Sequence, residues 1–282
     1  MDRGWSSPGA YDRIIHRVSQ DGSPAPMSVI RCCGAEMYLM LRLCWLFVPL
    51  VGNAASTVGP LEIGDYATEG GWGHLSIKRD AHSDLRFQIH AIGANRHSCD
   101  LEGSIEGNTG RATEGDVSFP PCLVAFERNA AAITVGVSSD GADNFQNCRS
   151  YCGMRAIFEG TYVALPPGCE SAERRRSHDG FLRLYQSGDY AKALEVVRTL
   201  QTTCGKFLAA FDEVDSVHND AAITLHHLGD DNACLQELAK TKAAMSKGEA
   251  ELRKDMAGAP ADFDLYLPVA KATWFNLKVC RR

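Results

Sequence analysis

Leu85-Arg86-Phe87-Gln88-Ile89-His90-Ala91-Ile92 decides how the first half of this 282-residue chain folds. From Phe87 onward apolar residues return every second position, the period of a strand with one buried face and one wet face. The same step of two runs through residues 74–79, 122–128, 132–137 and 157–163. Between these runs, Gly107-Asn108-Thr109-Gly110 and Ser139-Asp140-Gly141-Ala142 supply hairpin-type turn chemistry. Short strands at near-regular spacing predict a small antiparallel sandwich or barrel over residues 56–170. Asp100, Glu102 and Ser104 alternate within one such run and fall on its wet face.

Beyond residue 170 the period changes. Residues 178–188 and 219–229 each carry a helical apolar pattern ending in glycine, and each is followed by aspartate and a second helical run. Glycine closes a helix in a left-handed cap and aspartate opens the next. Ala193-Leu194 and Cys234-Leu235 stand at the same offset in the two second helices, where a small residue lets helices approach closely. This arrangement resembles tetratricopeptide-type helical hairpins. The two Gly-Asp turns are 41 residues apart rather than the family's usual spacing of about 34, and two units are visible where about three normally stack. Residues 263–279 read as a closing helix with Leu267, Ala270, Trp274 and Leu277 on one face. The fold class expected is therefore α+β: a β-domain, then a short TPR-like helical domain over residues 171–282. Pro166-Pro167-Gly168 marks the boundary, and Arg174-Arg175-Arg176 after it reads as a solvated helix start or linker.

The chain start points to export. Residues 37–55 join a short apolar core to the small residues Gly52, Ala54 and Ala55, which suits a signal peptide cleaved near Ala54 or Ala55. A membrane-spanning helix needs roughly 20 apolar residues. This run is shorter and is interrupted by Arg42. Residues 1–36, polar and rich in Gly, Ser and Pro, read as an upstream extension or a disordered tail.

Of eleven cysteines, eight follow that segment: Cys99, Cys122, Cys148, Cys152, Cys169, Cys204, Cys234 and Cys280. An even number in an oxidising compartment predicts four disulfides. Five lie before residue 171 and three after it, so full pairing requires a bridge across the boundary. Cys169 is the natural candidate, with Cys204 or Cys280 as partner, and such a bridge would tie the domains covalently. Cys148 and Cys152 could share a helical turn, but no histidine or second close pair completes a metal set, and there is no Cys-x-x-Cys for redox work.

Charge separates the halves. Residues 59–170 hold 15 acidic and 8 basic residues, net −7, whereas residues 171–282 hold 16 of each. A nucleic-acid partner needs a basic face and is disfavoured. A basic protein partner is favoured.

Enzyme signatures are missing from the sequence. It has no Gly-x-x-x-x-Gly-Lys, no Gly-x-Ser-x-Gly and no His-Glu-x-x-His. His226 and His227 are adjacent, so on a helix they diverge and cannot chelate one ion. Glu62, Asp65 and Glu69, or Asp100, Glu102 and Glu106, could form a glycosidase-like carboxylate pair. His90 and His97 could act as bases, but no nucleophile or orienting partner is evident. The expectation is no enzyme, no cofactor and no metal.

Finally, Cys148-Arg-Ser-Tyr-Cys-Gly-Met-Arg-Ala156, with His97-Ser98-Cys99 and Cys122-Leu-Val-Ala-Phe126, resembles a cysteine-containing β-domain of exported bacterial proteins related to LprI- and MliC-type lysozyme inhibitors. The resemblance covers residues 85–165. It implies a periplasmic or secreted binding protein whose partner is a basic lysozyme or peptidoglycan hydrolase, with no membrane span after signal cleavage. The families' inhibitory serine and lysine loops match no position here, so it assigns no functional residue. The alternative expectation is an envelope scaffold that docks proteins on its helical repeats.

Overall fold

The computed structural model describes residues 59–113, 120–141, 143–209 and 211–282. The expected signal peptide and the stretch before it lie outside these residues.

Of the two β architectures expected, the barrel forms. Eight antiparallel strands follow one another in sequence order and close into a ring: β1 (Gly64–Ala67), β2 (Gly73–Arg79), β3 (Leu85–Ile92), β4 (Ser98–Glu106), β5 (Thr109–Ala112), β6 (Cys122–Asn129), β7 (Ala132–Val137) and β8 (Gly160–Ala164), with β8 paired to β1. Closure removes sheet edges. The alternation read in the sequence sets the register: Leu75, Phe87, Ile89, Leu101, Val124, Phe126, Ile133 and Tyr162 are all buried in one core cluster. Phe87 and Phe126 meet edge to face at 5.2 Å. The barrel interior is filled by side chains, as eight-stranded barrels of this size allow.

Gly107 and Asn108 form the two-residue turn between β4 and β5, with Gly107 at φ +59°. The second expected hairpin turn is different. After β7 the buried Asn144 bonds both the N–H and the carbonyl of Leu123 at 2.8 Å and the carbonyl of Ser138 at 2.8 Å. These bonds turn the chain into a short helix, α1 (Asn144–Arg149), instead of straight back into the sheet. Strand β8 consequently begins at Gly160 rather than at Ile157, which is exposed.

The helical half contains α2 (Ser171–Gln186), α3 (Tyr190–Cys204), α4 (Asp212–His227), α5 (Asp231–Leu238), α6 (Glu249–Asp255) and α7 (Pro260–Val279). Both Gly-Asp turns behave as read. Gly188 and Gly229 each sit at φ +82°, and the N–H groups of Asp189 and Asp230 reach back to the carbonyls of Leu184 and Leu225 at 3.0 Å. The result is two helical hairpins, α2/α3 and α4/α5, with α7 packed along α4. The closing helix buries Phe263, Tyr266, Val269, Ala270 and Thr273 most deeply, and the expected face packs too, with Leu267, Trp274 and Leu277 partly buried against the core. Asn219 of α4 fixes the helix from the deeper side, since its amide donates to Thr273 at 2.8 Å and accepts from Asn276 at 3.0 Å.

Four disulfides form: Cys99–Cys152, Cys122–Cys148, Cys169–Cys204 and Cys234–Cys280. Cys169 does pair with Cys204, but it belongs to the helical core beside Phe181 and Leu200. Two bridges therefore staple α1 and the loop after it to the barrel, one ties the segment between β8 and α2 to the end of α3, and one ties α5 to the end of α7. Cys169–Cys204 thus spans residue 170 as expected, but it anchors the linker to the helical core, and no bridge joins a barrel strand to a helix of that body.

The junction is held by polar contacts and close approach. Asn95 donates its backbone N–H to Asp262 at 2.7 Å and accepts from the Ala261 N–H at 2.9 Å. Gly70 donates to the Lys206 carbonyl at 2.7 Å. At Gly71 (φ +64°) a Cβ would lie 2.5 Å from the Phe207 carbonyl oxygen, so only glycine lets the β1–β2 turn seat against the helical body.

Candidate functional site

The barrel and the helical body enclose a cleft of about 770 Å³. Strand register builds its floor. His74, His90 and Asp100 are aligned across β2, β3 and β4, as are Ser76, Gln88 and Glu102 one step along, with Glu102 alone of the six outside the cleft lining. All six are outward residues because their neighbours Leu75, Ile89 and Leu101 fill the interior. The opposite wall is the start of α2 with Arg174 and Arg175, then Phe207 and Ala209, then Asp212 and Glu213 at the start of α4.

On the floor, His90 Nδ1 lies 2.6 Å from Asp100 Oδ1, and Ser98 donates its hydroxyl to Asp100 Oδ2 at 2.9 Å. The order matters chemically. A serine nucleophile must give its proton to the imidazole, whereas Ser98 gives it to the carboxylate. The His90–Asp100 pair is also exposed, 51% and 64%, and so contributes little to stability. Also lining the cleft, the buried Ser76 hydroxyl has no hydrogen-bond partner among the described residues.

The wall is rigid because of a buried ion pair. Arg174 Nε and Nη2 donate to the two Glu213 oxygens at 2.6 and 3.1 Å, and its Nη1 donates to the Cys169 carbonyl at 2.5 Å. Glu213 also accepts the Ala209 N–H at 2.8 Å. Arg174 and Glu213 are 8% and 5% exposed, so the reading of the Arg174–Arg176 run as solvated fails at its first member. Arg176 does stay exposed, beside Glu173.

The other candidate residues scatter. Glu62 pairs with Arg128, Glu69 reaches Lys206 across the junction at 3.3 Å, and Asp65 lines the cleft. His97 packs against Gly153 beside the Cys99–Cys152 bridge. His227 stacks on Tyr190 at 4.4 Å, while His226 bonds Asp231 at 2.5 Å. Cys280 is close to that last pair, but its sulfur is committed to Cys234, so the three groups do not make a thiolate metal set. Cys148 and Cys152 point to different partners, Cys122 and Cys99. Trp72, Arg96 and Phe211, which line the junction, stand in no motif and have no sequence signal.

Behind the wall, His178 lies 3.1 Å from Asp220, both nearly buried. Burial alone would lower the His178 pKa, but the hydrogen bond and charge of Asp220, with Asp179 and Glu213 nearby, raise it. Burial raises Asp220 as well, with His178 offsetting part of the effect. Both shifts mean that the folded state holds protons more tightly than the unfolded one. The His178 contribution is fully present below the unfolded value and is lost as pH rises through the folded one. The melting temperature should therefore fall as pH rises through and above the ordinary histidine range. Asp220→Asn removes the charge that raises His178 and should flatten or reverse that fall in thermal melts across this range. An unchanged slope in the variant would assign the effect elsewhere.

Comparison with protein-family models, curated proteins and solved structures finds no match to the chain.

Proposed function

We propose that this chain is an exported, non-enzymatic binding protein of the bacterial envelope, and that it captures and inhibits a basic protein such as a lysozyme or peptidoglycan hydrolase. The observation that carries this reading is the filled barrel. Phe87, Ile89, Leu101, Phe126 and Tyr162 leave the barrel interior to side chains, so recognition falls to the outer surface, where residues 59–170 carry a net charge of −7. Four disulfides suit an oxidising compartment. No helix among the described residues is long and apolar enough to cross a membrane.

The test is lysozyme inhibition at micromolar protein in low salt, repeated at high salt. The proposal expects inhibition that weakens as salt screens the opposed charges. No inhibition, together with no basic envelope protein recovered in a pull-down, would remove it. The hairpins α2/α3 and α4/α5 favour a second reading, a scaffold with TPR-like docking repeats. Asp84→Lys with Glu106→Lys separates the two, because both side chains are exposed on the barrel, Asp84 in the β2–β3 loop and Glu106 at the end of β4. The inhibitor reading expects weaker capture by this variant, and the scaffold reading expects none lost.

A further inference from the structure

Beside the polar cleft, the barrel–helix junction holds a smaller cavity of about 300 Å³. Its walls are mainly apolar: Trp72 and Ile92 from the barrel, and Phe211, Leu265 and Tyr266 from the helices. The Tyr266 hydroxyl is occupied elsewhere, by Asp215 and the Ala243 N–H. Three ionic side chains border the cavity, Arg96, Asp212 and Asp262.

One cation and two carboxylates line the cavity, and they differ in how their polar atoms are engaged. Asp262 accepts the Asn95 N–H at 2.7 Å. Asp212 is engaged by backbone N–H groups in the first turn of α4. Arg96 is exposed and makes no hydrogen bond or ion pair among the described residues, being only attracted through space by Asp212. A second cation stands close by, with the Lys242 ammonium 4.9 Å from the centre of the Phe211 ring. The pocket's one lining cation, Arg96, therefore has its guanidinium donors open, while both lining carboxylates already accept backbone N–H groups.

Backbone conformation supplies an independent observation. Asn95 and Arg96 are consecutive residues at φ +58° and +61°, and Phe211 lies at φ +71° with ψ −77°. Asparagine visits the left-handed region readily, but arginine and phenylalanine do so at a cost. The Asn95 bonds to Asp262 and Ala261 hold one side of this arrangement in place. Strain of this kind gathers where side chains are held ready for a ligand, and here two strained residues, Arg96 and Phe211, line one cavity.

We propose that this pocket binds a small organic carboxylate with an aromatic or branched apolar body. The carboxylate meets the Arg96 guanidinium, whose planar fork matches two oxygens. The body lies among Trp72, Phe211 and Tyr266, and the cavity is at the small end of the usual range for ligand pockets, about 300–1,000 Å³. This site is independent of the proposed capture of a basic protein.

Calorimetry on the full chain with 3-phenylpropionate, and with 3-phenylpropanamide and 3-phenylpropylamine as neutral and cationic counterparts, tests it. Saturable binding of the carboxylate is expected, tighter than of either counterpart. Arg96→Gln should weaken the carboxylate about tenfold or more, the worth of a charge-assisted contact, and leave the amide unchanged. Arg96→Gly should also lose binding while melting no lower than the parent, because glycine relieves the left-handed backbone. Three results would each overturn the proposal: the amine binding as well as the carboxylate, Arg96→Gln binding the carboxylate like the parent, or no saturable binding of the carboxylate.

Discussion

Arg174→Ala is expected to destabilise the protein by about 3–5 kcal/mol, because it leaves the Glu213 carboxylate buried and unpaired. Glu213 is 5% exposed, and two of the charge-assisted bonds that justify its burial come from Arg174. The Cys169 carbonyl loses its Arg174 donor as well. For a chain of this size such a loss lowers the melting temperature by about 10 °C. Arg176→Ala is the control: its side chain is 67% exposed, so the change should stay within about 0.5 kcal/mol. Adding Glu213→Leu to Arg174→Met should recover much of the loss, since replacing both partners by apolar groups leaves no orphaned charge. Thermal and urea melts read all three, and an Arg174→Ala protein that melts with the parent would show the pair to be dispensable.

The second large effect is expected from opening the bridge between Cys122 and Cys148, 26 residues apart. By loop closure alone Cys122→Ser with Cys148→Ser should cost about 3.5 kcal/mol. The bridge holds α1 against β6, where Asn144 already bonds Leu123, so hydrogen exchange should rise first around residues 144–152. The parent protein, digested without reduction, should yield the four pairs described above. A peptide joining a barrel cysteine to a helical one would contradict the separation of the two bodies.

Much of the fold is written locally. Period-two alternation at Leu85–Ile92 and period 3.6 beyond residue 170 follow from which faces must be buried, and burial is decided residue by residue. The Gly188 and Gly229 caps are equally local, since only the left-handed glycine and its next neighbour are needed. The choice of barrel over sandwich was not legible, because closure depends on β8 meeting β1 about a hundred residues away. The Ser139–Ala142 turn misled for a related reason: Asn144 is ordinary turn composition until Leu123 is beside it.

The site shows the same division. Asp100 and Glu102 on an outward strand face were readable from alternation alone. Arg174 was not, because a basic run looks solvated until Glu213, 39 residues on, takes its first arginine out of water. Arg96 and Phe211 carry no periodic or motif signal at all.

By itself, then, the sequence determined most of the strands (though not β1 or β5), the helical hairpins and the cysteine count, because each rests on neighbours within a few residues. Only the tertiary structure decided the closed barrel, the disulfide partners and the cleft and pocket at the junction. Those depend on contacts between residues far apart in the chain, and the two bodies meet there through non-covalent contacts centred on Gly71 and Asn95.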